Sequence, residues 1–398
     1  MTRIPSLFDR KSFCVLPIIH AFVKPDGRAG LCCMNGSERI GNTNDNTFQE
    51  IYSSNNTSLR TIREKMILNE ELPESCQKIC GKDDLYAHNS YRVESNKIFR
   101  KQFVEEFETL DQIINNEKYF YVDIRFSNLC NLRCIYCKPQ ESTRVAEIKK
   151  MHFSLLTSTG NDSNLLDFMQ ANLDHLVEIN FAGGEPTIMK EHYDVLDMLI
   201  ASNRVKDIKV RYNTNLQSLS LGKRNVIDYW KQFPKLHLAV SLDDIGERCE
   251  FTRDGSDWKE LIENIKTVKQ QVPHAFLTLN PVVTMFNIMY MPEIIEYYTT
   301  ETKLFNLKDL WLMPVSGEET HCINVKALPA DIKQQVVEHY KETGAIEISQ
   351  LKSLLNDMMS KDWSDLLPDT RVFIRDIEQT RGKNFLKTYP ELATIMDV

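Results

Sequence analysis

The chain has 398 residues, 42% hydrophobic and 26% charged, with a formal charge of −8. This is an ordinary globular balance with room for two domains, or for one large domain and an appendage. It offers no basic field for a phosphate backbone, so no nucleic-acid partner is expected. From Met1-Thr2-Arg3-Ile4-Pro5 onward no apolar run is long enough for a signal peptide or a membrane span, so a cytoplasmic protein is expected.

Four stretches are expected along the chain: residues 1–95, 96–117, 118–325 and 326–398. In the first, Phe22-Val23-Lys24-Pro25-Asp26-Gly27-Arg28 is a turn between two extended runs, which predicts a β-hairpin. Residues 83–117 read as polar and helical, a bridge into the third stretch. From residue 118 strand-like runs at 119–126, 176–182, 208–212, 236–242, 275–283 and 310–315 alternate with helical periodicity near 165–176, 192–202, 224–233, 258–270 and 292–298. That alternation predicts an α/β fold with a parallel sheet and crossover helices, and six units are too few for a closed eight-fold barrel. After 326 the spacing of Val336 and Tyr340, and of Leu351, Leu354, Leu355 and Met358, predicts a helical C-terminal region.

Eight of the ten cysteines lie between residues 14 and 137, in two groups. Clustered cysteines in a reducing compartment point to metal binding or redox chemistry, while Cys249 and Cys322, standing alone, read as buried thiols. Cys130, Cys134 and Cys137 form a C-x3-C-x2-C loop directly after the first strand of the alternating region. A closed zinc site wants four protein ligands, and no fourth Cys or His stands at ligand distance after them. A four-iron cluster held by three thiolates keeps one iron open for an exchangeable ligand. Strand-end loops are where parallel sheets bind ligands, so motif and predicted context agree.

The cysteine loop closely resembles that of the radical S-adenosylmethionine (SAM) superfamily. The resemblance implies a partial (β/α)6 TIM-like barrel over 118–325 and a [4Fe–4S] cluster on Cys130, Cys134 and Cys137 whose open iron holds the amino and carboxylate groups of SAM. It also implies an enzyme that cleaves SAM reductively to a 5′-deoxyadenosyl radical. Asn180-Phe181-Ala182-Gly183-Gly184-Glu185-Pro186-Thr187, after the second strand, resembles the family's GGEP segment, so Gly183, Gly184, Glu185 and Pro186 are implied contacts of the methionyl amine. Tyr212-Asn213-Thr214-Asn215 resembles the Thr-Asn-Gly run after the third strand, with Leu216 where the glycine ordinarily stands. Ser241, in Val240-Ser241-Leu242-Asp243-Asp244, and Arg253 are the implied carboxylate ligands, with Thr214 and Asn215 at the polar rim. A surface salt bridge with Asp254 or Glu250 is the plainer reading of Arg253. Asn280, Asn287 and Met313-Pro314 are weaker candidates for the adenine or substrate pocket.

Cys14, Cys32, Cys33, Cys76 and Cys80, with Gly27 and Gly41-Asn42 between them, are similar to half of a SPASM domain. This shorter twitch form holds one auxiliary [4Fe–4S] cluster. Cys14, Cys32, Cys76 and Cys80 are its implied ligands, with Cys33 as the substitute for Cys32. The same thiols could instead build a structural zinc knuckle. Relatives of this kind often modify peptides or protein side chains, so a peptide substrate is expected. A small molecule such as a sugar, aminoglycoside or nucleotide derivative is the alternative. A non-catalytic zinc-stabilised binding module is the alternative from another class. The expected redox partner is a low-potential donor such as flavodoxin or ferredoxin.

Overall fold

Gly27, at φ +81°, closes the first hairpin in the computed structural model, which describes residues 4–70, 73–81, 90–153, 155–158 and 162–396. A Cβ at Gly27 would stand 2.5 Å from the Asn42 Oδ1, so only glycine fits this left-handed turn. The described chain divides into two compact units. One comprises Met1–Leu129, Leu155–Arg211 and Gln232–Lys235; the other comprises Cys130–Ser154, Tyr212–Lys231 and Leu236–Val398.

In the first unit the hairpin strands β1 (His20–Val23) and β2 (Arg28–Cys32) pair antiparallel, and β3 (Asn35–Asn42) extends them. The other edge of β1 pairs in parallel with β4 (Tyr121–Ile124), His20 opposite Tyr121 and Val23 opposite Ile124. β4 in turn pairs in parallel with β5 (Glu178–Phe181). One sheet therefore runs through the N-terminal hairpin into the first two strands of the alternating region. Its core is shared in the same way: Leu7, Phe13 and Ile18 pack in one cluster with Phe103, Ile113 and Phe120. The helices Tyr91–Glu106 and Leu110–Ile114 fill most of the stretch expected to be helical; residues 83–89 of it lie outside the described residues.

Arg63, on the helix Thr57–Leu68, is fully buried, and its guanidinium is spent on backbone and hydroxyl oxygens. Its Nε donates to the Pro17 carbonyl at 2.9 Å, Nη1 to the Asn116 carbonyl at 2.8 Å, and Nη2 to the Tyr119 hydroxyl at 3.1 Å. The fork thus satisfies carbonyls that would otherwise be buried alone. Arg63→Met keeps the stem and removes every donor, so it should cost on the order of 3 kcal/mol, read as a lower urea midpoint with unchanged slope.

The strand β6 (Lys209–Thr214) passes from the first unit to the second between Arg211 and Tyr212. In the second unit a small hairpin, β7 (Ser220–Leu221) and β8 (Arg224–Asn225), precedes β9 (Leu236–Val240). β9 pairs in parallel with β10 (Phe276–Leu279). The expected sixth strand shrinks to a bridge from Leu310 to Leu279 and a two-residue pair, β11 (Val282–Val283) with β12 (Met313–Pro314). Pro281 and Pro314 have no N–H to give, which breaks a regular ladder there. The parallel strands alternate with helices such as Lys190–Ala201 and Trp258–Gln271, the α/β architecture expected from the sequence. The C-terminal helices Ala330–Glu342 and Ser349–Met359 bury Val336, Tyr340, Leu351, Leu354, Leu355 and Met358, matching the spacing read from the sequence. Among the described residues no helix is long and apolar enough to cross a membrane.

Candidate functional site

The Cys130–Cys137 loop has no regular secondary structure, and its backbone is pinned from the segment after the helix Gly246–Thr252. The Arg133 amide donates to the Asp254 carbonyl and the Ile135 amide to the Thr252 carbonyl, both at 2.9 Å. Ser142 Oγ closes the loop by donating to the Leu132 carbonyl at 2.7 Å. None of the three cysteines is in a disulfide. Burial pushes the Cys134 thiol up and the Cys137 thiol well up, and Cys134 and Cys130 raise Cys137 further, so the three sulfurs share one small region.

Arg253 is buried, 6% exposed, and the surface salt bridge does not form. Its Nη2 donates to Asp243 Oδ1 at 3.0 Å, and Nη1 lies 3.9 Å from the Cys134 sulfur. Asp254 pairs instead with Arg133 and, at 3.2 Å, with Lys383. Asp243, which no sequence motif singled out as a site residue, is the hub: it also accepts from the Tyr136 hydroxyl and, at 2.9 Å, from the Val282 amide. The one sequence signal for it is its place two residues after Ser241. Among the described residues Arg253 Nε meets no acceptor. Asp243→Asn keeps the shape but leaves a buried guanidinium without its counter-charge. The expected cost is about 3 kcal/mol in urea unfolding.

Thr214 and Asn215 organise the end of β6. Thr214 Oγ1 accepts from the Leu216 amide at 2.9 Å, and Asn215 Nδ2 donates to Asn131 Oδ1 at 2.8 Å, 4.0 Å from the Cys130 sulfur. Leu216 adopts φ +53°, the left-handed conformation that a glycine there takes without strain; for a side-chain-bearing residue it costs about 1–2 kcal/mol. Ser241 is half-buried, its amide bonded to the Thr214 carbonyl at 2.9 Å. Asn287 is held by the chain itself, donating to the Asp243 and Val282 carbonyls at 3.1 and 3.0 Å.

In the first unit the Gly183-Gly184-Glu185-Pro186 segment packs against residues 127–129. The Gly184 amide donates to the Ser127 carbonyl at 3.1 Å and the Glu185 amide to the Leu129 carbonyl at 2.7 Å. A Cβ on Gly184 would fall 1.9 Å from the Leu129 carbonyl oxygen. The glycines therefore let two backbones touch. Glu185 is fully buried and caps the turn Pro186–Ile188, its Oε1 accepting from the Thr187 amide at 3.2 Å and hydroxyl at 2.8 Å.

Also in the first unit, Cys14, Cys32, Cys76 and Cys80 line one small cavity of about 20 Å³ together with Tyr91 and Arg92. The helical turn Glu74–Cys76 runs into Gln77–Gly81, which brings Cys76 and Cys80 to the same cavity. Cys33 is not among the lining residues. Cys33 stands in the turn just beyond the end of β2, where Asp123, Arg125 and Tyr91 act on it instead. Burial pushes the Cys14 thiol up to about 12, with Cys76 and Cys80 adding to the rise. Asn35 Nδ2 donates to the Cys76 sulfur at 3.1 Å. Among the described residues no three Cys, His, Asp or Glu side chains are gathered to hold a single metal ion. In a cubane each thiolate meets its own iron, so its sulfurs stand farther apart than the roughly 3.8 Å around one zinc. Four thiols lining one largely apolar cavity are the donor set that such a cluster takes. At the other centre, three thiols of one loop beside a buried guanidinium whose Nε meets no acceptor among the described residues are the donor set for an iron–sulfur cluster and an anionic ligand.

The comparisons agree with this chemistry. The family model for the radical SAM superfamily matches residues 124–297, and that for SPASM, an iron–sulfur cluster-binding domain, matches residues 14–81. The GTP 3′,8-cyclase of Clostridium botulinum (strain Hall) is 26% identical over 153 residues, 38% of this chain and 44% of that protein. The enzyme of the same name from Photorhabdus laumondii is 25% identical over 140 residues, 35% and 38% of the two chains. The chain thus spans less than half the length of these curated relatives. Among solved structures, anSMEcpe with bound AdoMet is 17% identical, covers 49% of this chain and 51% of its own, and has a TM-score of 0.37. Streptococcus suis SuiB bound to S-adenosylmethionine is 16% identical, covers 71% and 63%, and has a TM-score of 0.36. The loop of three thiols falls within residues 124–297 and the four-thiol cavity draws its cysteines from residues 14–81, so the chain carries a radical SAM domain with a SPASM iron–sulfur cluster-binding domain ahead of it in the sequence.

Proposed function

We propose that the chain is a radical SAM enzyme acting on a peptide or protein side chain, with one auxiliary cluster. The observation that carries the enzymatic reading is the set of three thiols in one short loop, none in a disulfide, with Arg253 fixed at Cys134 by Asp243. Cys130, Cys134 and Cys137 would hold a [4Fe–4S] cluster, and Cys14, Cys32, Cys76 and Cys80 the auxiliary one. SAM bound at the first cluster supplies, on one-electron reduction, a 5′-deoxyadenosyl radical able to take hydrogen from an unactivated carbon. The chain's own part is to bind and orient. Arg253 Nε offers a charge-assisted hydrogen bond to the SAM carboxylate, with Ser241 as its partner in that role. Thr214 and Asn215 hold the neighbouring backbone still. Gly183, Gly184, Glu185 and Pro186 are the proposed contacts of the methionyl amine. The electron comes from a low-potential donor such as flavodoxin or ferredoxin.

A peptide is the substrate that the presence of a SPASM domain favours. One observation favours the second reading, a small polar molecule such as a sugar, aminoglycoside or nucleotide derivative. Asp123 on β4 is 1% exposed and pairs with Arg125 Nε at 3.8 Å, but among the described residues neither carboxylate oxygen has a hydrogen-bond partner; on the adjacent strand His20 Nε2 is also without one. The His20 ring stacks on Tyr121 at 4.2 Å, and burial pushes its pKa down to about 4, so it is neutral at pH 7. A neutral imidazole and a carboxylate together suit hydroxyl and amine groups.

Anaerobic reconstitution should give a brown protein with about seven to eight irons that forms 5′-deoxyadenosine from SAM and dithionite. Full iron loading with no 5′-deoxyadenosine would remove the enzymatic reading. A colourless protein carrying two zincs would establish the binding module instead.

A further inference from the structure

We propose that the basic surface along the helix Tyr91–Glu106 is the docking site of an acidic one-electron carrier protein, which exchanges an electron with the auxiliary cluster behind Arg92. The inference rests on the reading of Cys14, Cys32, Cys76 and Cys80 as the ligands of that cluster. Two open grooves adjoin on this surface and share Lys97 and Arg100. Their walls carry Arg10, Lys11, Arg92, Lys97, Arg100 and Lys101, against two acids, Asp9 and Glu105. Six cations against two anions is a marked local excess in a chain whose formal charge is −8.

The helix presents Val93, Lys97, Arg100 and Val104 to the grooves at steps of three and four residues, so these charges lie along one stripe. Lys11, Lys97, Arg100 and Lys101 are exposed. Arg100 is held by the Phe8 ring at 5.0 Å and by the Pro5 carbonyl at 3.4 Å, neither of which cancels its charge. Lys101 has Glu105 at 3.9 Å, a pair in water that is worth little. Mobile lysines over open grooves make a poor trap for a small anion. Their summed field instead steers and orients a large acidic partner.

What makes that partner a redox protein is the shared wall. Arg92 lines both the first groove and the cavity of the four cysteines, with its Nη1 donating to the Phe13 carbonyl at 2.8 Å. Arg92 is thus common to the groove that the carrier would occupy and to the cavity of the cluster's ligands. In the exchange the carrier loses one electron and the cluster gains one, with no bond or proton moved. The same face returns an electron outward when the cluster is the reduced partner.

The test uses the anaerobically reconstituted full chain and a bacterial flavodoxin as the probe, with its Kd measured by titration at low and at moderate salt. The charge-reversal variant Lys97→Glu/Arg100→Glu/Lys101→Glu should bind flavodoxin about tenfold or more weakly at low salt, with a much flatter salt dependence. The variant Lys259→Glu/Lys266→Glu/Lys352→Glu makes the same charge change at exposed positions elsewhere and should stay within about twofold of the parent. Iron content and dithionite bleaching of the visible absorbance check that the clusters survive. If the triple variant loses iron, Lys97→Ala/Lys101→Ala takes its place, with about threefold weaker binding expected. The proposal is overturned if the docking variant binds like the parent, if both triple variants weaken alike, or if short duplex DNA binds the parent as tightly as flavodoxin does. A parent holding only about four irons would instead show that the auxiliary cluster itself is absent, a separate failure.

Discussion

Replacing Cys130, Cys134 and Cys137 together with alanine should abolish 5′-deoxyadenosine formation and lower bound iron from about eight to about four per chain. Replacing Cys76 and Cys80 should remove a similar amount of iron while SAM cleavage with dithionite largely persists. The asymmetry follows from where the thiols stand. The first trio sits beside Arg253, the group placed to hold an anionic ligand, whereas Cys76 and Cys80 line a separate cavity with Cys14 and Cys32. Fold loss is not the expected cause in either case. The loop of the trio is pinned by backbone bonds to Thr252 and Asp254 that do not involve sulfur, and Cys76 lies in a short turn near the surface. Iron content and 5′-deoxyadenosine yield, measured on the same preparations, check both outcomes. Equal loss of cleavage in the two variants would mean that the auxiliary site also serves SAM.

Gly184→Ala is the second large effect. The new methyl carbon would overlap the Leu129 carbonyl oxygen at 1.9 Å and the Asn128 carbonyl carbon at 2.8 Å. These are backbone atoms, so no side-chain rotation relieves the clash. The strand end must lift, losing the Glu185–Leu129 bond of 2.7 Å. A cost of about 3 kcal/mol is expected, near the upper end for overpacking. Leu129 is bonded directly to Cys130, so the displacement reaches the cysteine loop, and a shift of about 1 Å there lowers turnover on the order of 100-fold. Gly222→Ala is the control. Gly222 also has positive φ, +60°, but open space around it, so only about 1 kcal/mol of backbone strain is expected. Urea unfolding and single-turnover SAM cleavage separate the two substitutions.

The chemistry of this chain was legible in short runs of sequence because ligand spacing, strand alternation and turn glycines are local properties. The C-x3-C-x2-C loop, the hairpin around Gly27, the helix over 258–270 and the apolar stripe of the C-terminal helices all depend on neighbours within a turn or two, and each is present. The role of Gly184 needed more. Its two-glycine signature promised close approach, but only the fold showed that the Leu129 backbone is what approaches.

The sequence by itself determined the three-cysteine loop, the α/β alternation and the residue types able to hold cofactors, because these depend on spacing between near neighbours in the chain. Tertiary structure alone decided three matters. β1 lies beside β4, far along the chain, through hydrogen bonds that any two strands could make. Cys32 rather than Cys33 lines the four-thiol cavity, because Cys32 ends the strand β2 while Cys33 already belongs to the turn that follows it. Arg253 pairs with Asp243 and not with its neighbour Asp254, because a buried guanidinium takes the carboxylate that the packed chain brings to it, and sequence proximity does not decide that choice.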